Sequence, residues 1–493
     1  MRVRPRALPH RSLRSIARQL GARAFGEAEV TGLSLNTSDV VAGDLYAALP
    51  GSTTHGGRYA PQAVSEGAVA VLTDAAGLQC VPDDTPYIVL EDPRAALPEL
   101  AAELYDHPSK AFTTIGITGT QGKTTSTYLA EAALGAERSA VIGTIGTRVG
   151  GVPARSALTT PEAPALQALF AVMREEEIEV CAMEVSSHAL AQGRVDGFVF
   201  DVGVFLNLGR DHLDFHADME EYFAAKASLL TSAHAHSGVV VVDDEYGRRL
   251  ATGATVPITT VSTRGEPADW RAVDIVALPH GTEARLLGPE AVEVELFVPL
   301  PGAFNVANAA AVLAALTVQG HDPHEIARGI AESPGVPGRM ERVDAGQDFT
   351  AVVDYAHKPD AVVAVLDALR PVTPGRIIVV IGAGGDRDHG KRPLMGAAAA
   401  RHADVVIVTD DNPRTEEPAA IRAAVLRGTR KESATVMEIG GRQAAIAEAV
   451  TMAGPGDTVV VAGKGHERGQ EIAGVVHPFD DRDVLRACLE ARA

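Results

Sequence analysis

Two rhythms of apolar and polar positions run along the chain. Near its start, short apolar runs such as VAVLTD and PYIVLED stand between Gly- and Pro-containing turns, which predicts a small α/β domain over residues 1–107. The stretch AFTTIGITGTQGKTTSTYLAEAAL then reads as an apolar strand, a Gly-rich turn and an Ala/Leu-rich helix. EVCAMEVSSH and VFDVGVFLNLGRDH are again apolar strands that end in polar residues. Open α/β sheets place ligands at such strand ends, so residues 108–334 are expected to form a central ATPase-like α/β domain with a phosphate loop.

Beyond PGVPGRMERVD the alternation becomes regular. Strands FTAVVDYAH, RIIVVIGAGG, DVVIVTDDNPR, ATVMEIG and DTVVVAGKGHE are separated by helical stretches such as KPDAVVAVLDALR and EPAAIRAAVLRGT. That spacing predicts a doubly wound, Rossmann-like parallel sheet over residues 335–493. Pro334, Gly335, Pro337 and Gly338 mark the linker before it. The expected fold class is therefore α/β in three domains.

Composition narrows the function. A chain of 493 residues exceeds what one core fills. The net charge of −20 is spread along it, which argues against a nucleic-acid partner but leaves room for small anions held by local cations. Cys80, Cys181 and Cys488 are far apart, so a cysteine zinc site is not expected and a reducing, cytoplasmic compartment is. The basic N-terminal stretch has no secretory pattern and reads as a surface helix, although its Arg-rich pattern resembles a transit peptide. No apolar run approaches the roughly 20 residues that cross a bilayer, so no membrane partner is expected.

GITGTQGKTT departs from the common phosphate-loop formula, because Ile117 stands where the first glycine would. Gly119, Gly122, Lys123 and Thr124 still supply what a phosphate needs: turned backbone N–H groups, a helix start, a cation and a hydroxyl. A loop that begins at Gly119, with Ile117 in the strand, reconciles the two. The other reading is a Gly-rich turn with a surface lysine, and the strand–loop–helix context decides against it. In MEVSSHAL, Glu184 can complete a magnesium shell begun by Thr124, although a lone strand-end glutamate is more often a cap. NLGRDHLDFH supplies Asp211, His212, Asp214 and His216, which read alone as a polar loop. Without cysteine partners or H-E-x-x-H spacing, zinc is improbable there.

Ten segments in order carry a resemblance: GTQGKTT, MEVSSHAL, NLGRDHLDFH, EEYFAAKASLL, PGAFNVANAAA, GVPGRMERV, VVDYAHKPDA, GAGGDRDHGKRPLM, TDDNPRTEEP and VVAGKGHERGQ. Together they resemble the Mur ligase family, most closely its tripeptide-synthetase branch, from about residue 30 to the C-terminus. The resemblance implies a UDP-sugar-binding domain, an ATP-binding domain and an amino-acid-binding domain. It also implies an ATP-dependent, ADP-forming ligase of peptidoglycan synthesis. Such enzymes phosphorylate a substrate carboxylate and let an amine displace the phosphate. The partners implied are a UDP-MurNAc-dipeptide, ATP and a diamino acid, acting on a monomer.

By that resemblance Thr124 and Glu184 hold one Mg²⁺, and His212 with Lys226 a second, Lys226 being carbamylated by CO₂. Read alone, MEEYFAAKASLL is an ordinary amphipathic helix with a solvated lysine. The catalytic set implied is Lys123, Glu184, His212 and Lys226. ATP would meet Gly119, Thr120, Gly122, Lys123, Thr124, Thr125, Asn305, Asn308, Arg339, Asp354 and His357. The UDP-sugar peptide would meet Thr37, Thr159, Thr160, Ser186, Gln192 and Arg194. Six positions depart from the family pattern: Asn36-Thr37-Ser38 for Asp-Ser-Arg, His55 for Asp, Gln121 for Asn and Val241 for Asn.

For the amino acid the matching positions are Arg387, Asp411, Asn412, Arg414, Gly463 and Glu467. DNPR matches enzymes that add meso-diaminopimelate, with Arg414 on its distal carboxylate, and is otherwise an ordinary turn. Lysine or ornithine would leave that arginine unpaired, at a cost on the order of 1–3 kcal/mol or more. Diaminopimelate is thus favoured, with lysine or ornithine as the alternatives. Beyond these stand a sister ligase resembling folylpolyglutamate synthetase, a P-loop kinase or ATPase that forms no amide, and a non-catalytic binding protein.

Overall fold

A computed structural model describes residues 3–51, 53–154 and 158–492. It divides into two compact units: Met1–Ser262 with Ala311–Ile326, and Thr263–Ala310 with Ala327–Ala493.

The first unit holds two sheets. The small one has strand order Ala24–Phe25, Tyr87–Val89, Ala70–Thr73, Asp44–Ala48 and Gly32–Ser34, parallel except at its first pair. The basic N-terminal stretch forms a helix, Leu13–Gln19, whose Leu13, Ile16 and Ala17 enter the core with Leu100 and Leu104. In the larger sheet the strands Ser139–Gly143, Val180–Glu184, Thr113–Thr118, Phe200–Phe205, Ala235–Val241 and Ile258–Ser262 lie side by side and parallel. Their centres are fully buried (Ile117, Val204 and Val239 among them), as covered parallel strands require. Each such side chain contributes about 1.5–3 kcal/mol by leaving water.

Register then positions chemistry. Ile117 pairs with Glu184 on one side and Val204 on the other, so the strand ends at MEVSSH and before LNLGRDH flank the phosphate loop. Ile117 is strand, as expected from a loop starting at Gly119.

The second unit carries an antiparallel meander, Trp270–Leu278, Gly281–Leu287 and Glu293–Val298, and a separate six-stranded sheet. That sheet runs Glu341–Arg342, Thr350–Asp354, Thr458–Ala462, Ile377–Ile381, Val405–Val408 and Thr435–Glu438. All are parallel except the short first strand. Helices separate the parallel strands, as the alternation predicts. No helix among the described residues is long and apolar enough to cross a membrane.

Candidate active site

Gly122 sits at φ +88° just before the helix Lys123–Leu134, a left-handed turn that glycine adopts without strain. It turns the chain so that the helix start faces the loop. Lys123 Nζ donates to the Gly119 carbonyl at 2.7 Å and to Thr120 O at 3.4 Å. Thr120, Thr124 and Thr125 are buried at the loop and the helix start.

Two side chains clamp this loop, one just past the neighbouring strand Phe200–Phe205 and one from the helix Met219–Ala227. Asn207 Oδ1 accepts from Gln121 N (3.0 Å), and its Nδ2 donates to Gln121 O (3.2 Å). The backbone at position 121 is thus held whatever its side chain, which accounts for glutamine being accommodated there. Tyr222 OH lies 3.1 Å from Thr120 Oγ1, and burial pushes this phenol's pKa up.

Thr124 Oγ1 donates to Glu184 Oε1 at 2.8 Å, and both residues are buried. Glu184 also accepts from Thr144 N (2.8 Å) and Thr144 Oγ1 (3.1 Å). The resulting pair of hard oxygens beside a phosphate loop suits Mg²⁺, which prefers few protein oxygens plus phosphate and water. Lys226 is fully buried on the helix Met219–Ala227 and not solvated. Its Nζ donates to Gly119 O at 2.9 Å and lies 4.8 Å from the Tyr222 ring centroid. His212, at φ +53°, lies 5.9 Å from that ring and 3.0 Å from Asp211 Oδ2. His188 packs beside His212 at 4.8 Å. Burial, then the neighbouring histidines, lowers the pKa of His188. Burial likewise lowers that of His216, against the nearby Glu221.

The residues assigned to the nucleotide-sugar peptide mostly converge. Thr159 Oγ1 lies 3.1 Å from Thr144 Oγ1. Thr160 is fully buried, donates to Glu184 O (2.7 Å) and accepts from Ser186 N (3.1 Å). Arg194 reaches Thr160 O (3.1 Å), Gln192 Oε1 (2.7 Å) and Glu162 Oε1 (3.0 Å). Thr37 stands apart, in the short turn after Gly32–Ser34. His55, where the family pattern has aspartate, caps a turn: its Nδ1 accepts from Gly57 N (2.9 Å). The proton therefore sits on Nε2, which faces Asp74 Oδ1 at 3.0 Å.

In the second unit the residues assigned to adenine and to closure fall into two separate groups. Asn305 and Asn308 are buried and bonded to each other (3.3 Å), and Asn305 also donates to Pro301 O (2.8 Å). Asp354 takes Met340 N and Ala356 N, one on each oxygen, at 2.7 Å, so it orders the turn that carries Arg339. Burial raises its pKa against the opposing pull of Arg339. Arg339 lies over the Tyr355 ring at 4.3 Å. His357 donates Nδ1–H to Tyr355 O (2.8 Å). Burial, with Lys358 and Lys391 nearby, lowers its pKa to about 4.

The amino-acid residues also gather at strand ends. Arg414, at φ +54°, donates to Gly385 O (2.6 Å) and pairs with Glu471 (3.2 Å). Asn412 Nδ2 donates to Glu467 Oε2 at 2.9 Å. Asp411 is buried, and Gly463 packs against its carboxylate. Arg387 lies on the exposed stretch 386–390. Asn207, Thr144, Tyr222 and Lys464 were missed from sequence. Asn207, Tyr222 and Lys464 lie within the ten segments and Thr144 outside them, but their bonds reach stretches far away in sequence and leave no local pattern.

Three family models match in order: the Mur ligase family catalytic domain over residues 29–105, the Mur ligase middle domain over 117–316, and the Mur ligase glutamate ligase domain over 338–465. The chain is 53% identical to a UDP-N-acetylmuramoyl-L-alanyl-D-glutamate--2,6-diaminopimelate ligase of Streptomyces coelicolor, covering 99% of this chain and 98% of that one. It is 49% identical to the ligase of the same name from Corynebacterium glutamicum, over 97% and 95% of the two chains. A solved structure of an enzyme of that name superposes with a TM-score of 0.66 at 33% identity, over 94% of this chain and 95% of that one. Fold, phosphate loop and matches together define an ATP-dependent ligase that forms amide bonds. The chain belongs to the Mur ligase family.

Proposed function

We propose that this ligase joins meso-diaminopimelate to UDP-MurNAc-L-Ala-D-Glu in the cytoplasm, as a monomer, in peptidoglycan precursor synthesis. The observation that carries the reading is 53% and 49% identity to diaminopimelate ligases over nearly the full length, joined to a DNPR segment whose Asn412 and Arg414 share one network with Glu467 and Glu471. The sister-ligase reading lacks that support. Residues 1–107, 108–334 and 335–493 would serve the UDP-sugar, ATP and amino acid in turn.

The chemistry follows from the donors. The terminal carboxylate of the dipeptide attacks the γ-phosphorus of ATP, the bond to the β–γ bridging oxygen breaks, and ADP leaves. Lys123 and the loop N–H groups stabilise the charge that gathers on the transferring phosphoryl. Thr124 and Glu184 would hold one Mg²⁺, with His212 and a carbamate on Lys226 for a second. When bound, the metal supplies further neutralisation of phosphate charge. The amine of the diamino acid then attacks the acyl carbon, loses a proton and expels phosphate. Thr159, Thr160, Ser186, Gln192 and Arg194 would hold the sugar-peptide so that its carboxylate faces the loop, with Thr37 at the uridine. Arg339, Asp354 and His357 would meet the nucleotide, with Asn305 and Asn308 near adenine.

Incubating the protein with ATP, Mg²⁺ and UDP-MurNAc-L-Ala-D-Glu, with diaminopimelate, lysine and ornithine offered separately, tests the reading by product mass. Diaminopimelate alone should give the tripeptide product. A product only with lysine or ornithine would overturn the amino-acid assignment, and none with any amine would overturn the reading altogether.

A further inference from the structure

The turn after the strand Thr458–Ala462 buries a lysine. Gly463 holds φ +118°, and a Cβ there would meet Asp411 Oδ2 at 2.5 Å. Only glycine lets the chain pass so close to the DNPR segment. Lys464, the next residue, is fully buried. Its ammonium donates to Asn412 Oδ1 at 3.0 Å and to Glu467 Oε2 at 2.9 Å. Burying an ammonium is costly, and an apolar side chain of similar volume would fill the space without that penalty.

The surrounding bonds show what the lysine does. Asn412 Oδ1 also accepts from Glu471 N at 3.0 Å, and Asn412 Nδ2 donates to Glu467 Oε2 at 2.9 Å. Two donors on one end of the amide and an acceptor on the other leave it a single orientation. Glu467 Oε2 thus receives both Lys464 and Asn412, while Oε1 takes no hydrogen bond from the described residues. The Glu467 side chain is 33% exposed, against 0% for Lys464, so the carboxylate reaches solvent and the ammonium does not.

We propose that Lys464 is a positioning residue that sets selectivity for the far end of the diamino acid. This rests on the reading that Glu467 and Arg414 take the far ammonium and carboxylate. Lys464 holds one Glu467 oxygen inside the protein and offsets part of the carboxylate charge. One oxygen is left for the substrate. A lone side-chain ammonium then gains little at Glu467, and productive binding also needs a carboxylate on Arg414. Diaminopimelate carries both groups on its far carbon; lysine and ornithine carry only the ammonium. Without the lysine, Glu467 would carry its full charge and attract a lone ammonium more strongly.

The test is steady-state kinetics of Lys464→Met and Lys464→Gln in the full chain, with saturating ATP, Mg²⁺ and UDP-MurNAc-L-Ala-D-Glu. Lys464→Gln keeps a donor without the charge, and carries the test if the methionine variant does not fold. The KM for diaminopimelate should rise about tenfold, and the diaminopimelate-over-lysine ratio of kcat/KM should fall by about tenfold or more. The KM for ATP and for the nucleotide substrate should stay within about twofold. A purely structural lysine would weaken both amino acids alike, and an unchanged ratio would overturn the inference. Wild-type protein that prefers lysine or ornithine would overturn the substrate reading, and this inference with it.

Discussion

Lys123 and Lys226 meet on one atom: both ammonium groups donate to the Gly119 carbonyl oxygen, at 2.7 and 2.9 Å. One comes from the helix that follows the phosphate loop and the other from Met219–Ala227. Two cations held on one backbone oxygen suit an incoming polyanion. Carbamylation of Lys226 would turn the second into an anion suited to a metal. Lys226→Ala should then lose activity by about 10²-fold or more, with partial recovery in added short carboxylates and none from Lys226→Arg. Phosphate release measured with and without added carboxylate checks this, and a fully active alanine variant would end the carbamate argument.

The clamp by Asn207 predicts an asymmetry. Asn207→Ala removes both bonds to the Gln121 backbone and should raise the KM for ATP about tenfold, on the order of two lost hydrogen bonds. Gln121→Asn should change it less than about twofold, because the side chain at 121 is not what holds the loop. Nucleotide titrations of the two variants decide it.

The phosphate loop was readable because its parts lie in one contiguous stretch, where strand, glycines, lysine and hydroxyl follow each other. The parallel sheet beyond residue 335 was readable for the same reason, from regular alternation. Its two-residue edge strand Glu341–Arg342 is too short to show a period. Lys226 sits on a stretch whose pattern suits a solvated face, and its burial comes with a contact far away in sequence, the Gly119 carbonyl. His55 stands in the sequence as a departure from aspartate, and nothing in the sequence reveals that its Nδ1 accepts a turn N–H. Lys464 lay within a quoted segment, yet its burial depends on how the turn meets Asn412, far away in sequence.

Arg442 and Asp481 form a fully buried ion pair, with Nε to Oδ1 and Nη2 to Oδ2 both at 2.7 Å. Arg442 also donates to Asp410 O and Ala462 O, tying together the strand ends that carry DNPR and GKGHE. Arg442→Met should destabilise the fold by about 3–5 kcal/mol, because it strands a buried carboxylate. Adding Asp481→Leu should recover much of that loss in denaturant unfolding.

Acid sensitivity should come in two windows. Burial holds both His357 and His466 at about 4, below the ordinary value of 6.5. In the unfolded chain they take up protons that the folded chain refuses. The stability they contribute is present above about pH 6.5 and lost as pH falls towards 4. Glu416, held at about 2 chiefly by its bond with Arg392, contributes stability above about pH 4.5 that is lost as pH falls towards 2. Tm against pH should therefore fall first between about 6.5 and 4, and His357→Gln should flatten that first slope.

Activation of a carboxylate at the phosphate loop is the centre of the account, and one isotope experiment reaches it most directly. With heavy oxygen in the terminal carboxylate of UDP-MurNAc-L-Ala-D-Glu, the acyl phosphate route must carry one labelled oxygen into the phosphate released as the amide forms. Mass analysis of that phosphate should show one heavy oxygen per turnover. Unlabelled phosphate alongside amide product, or phosphate released at the same rate without the amino acid and the sugar peptide, would contradict it.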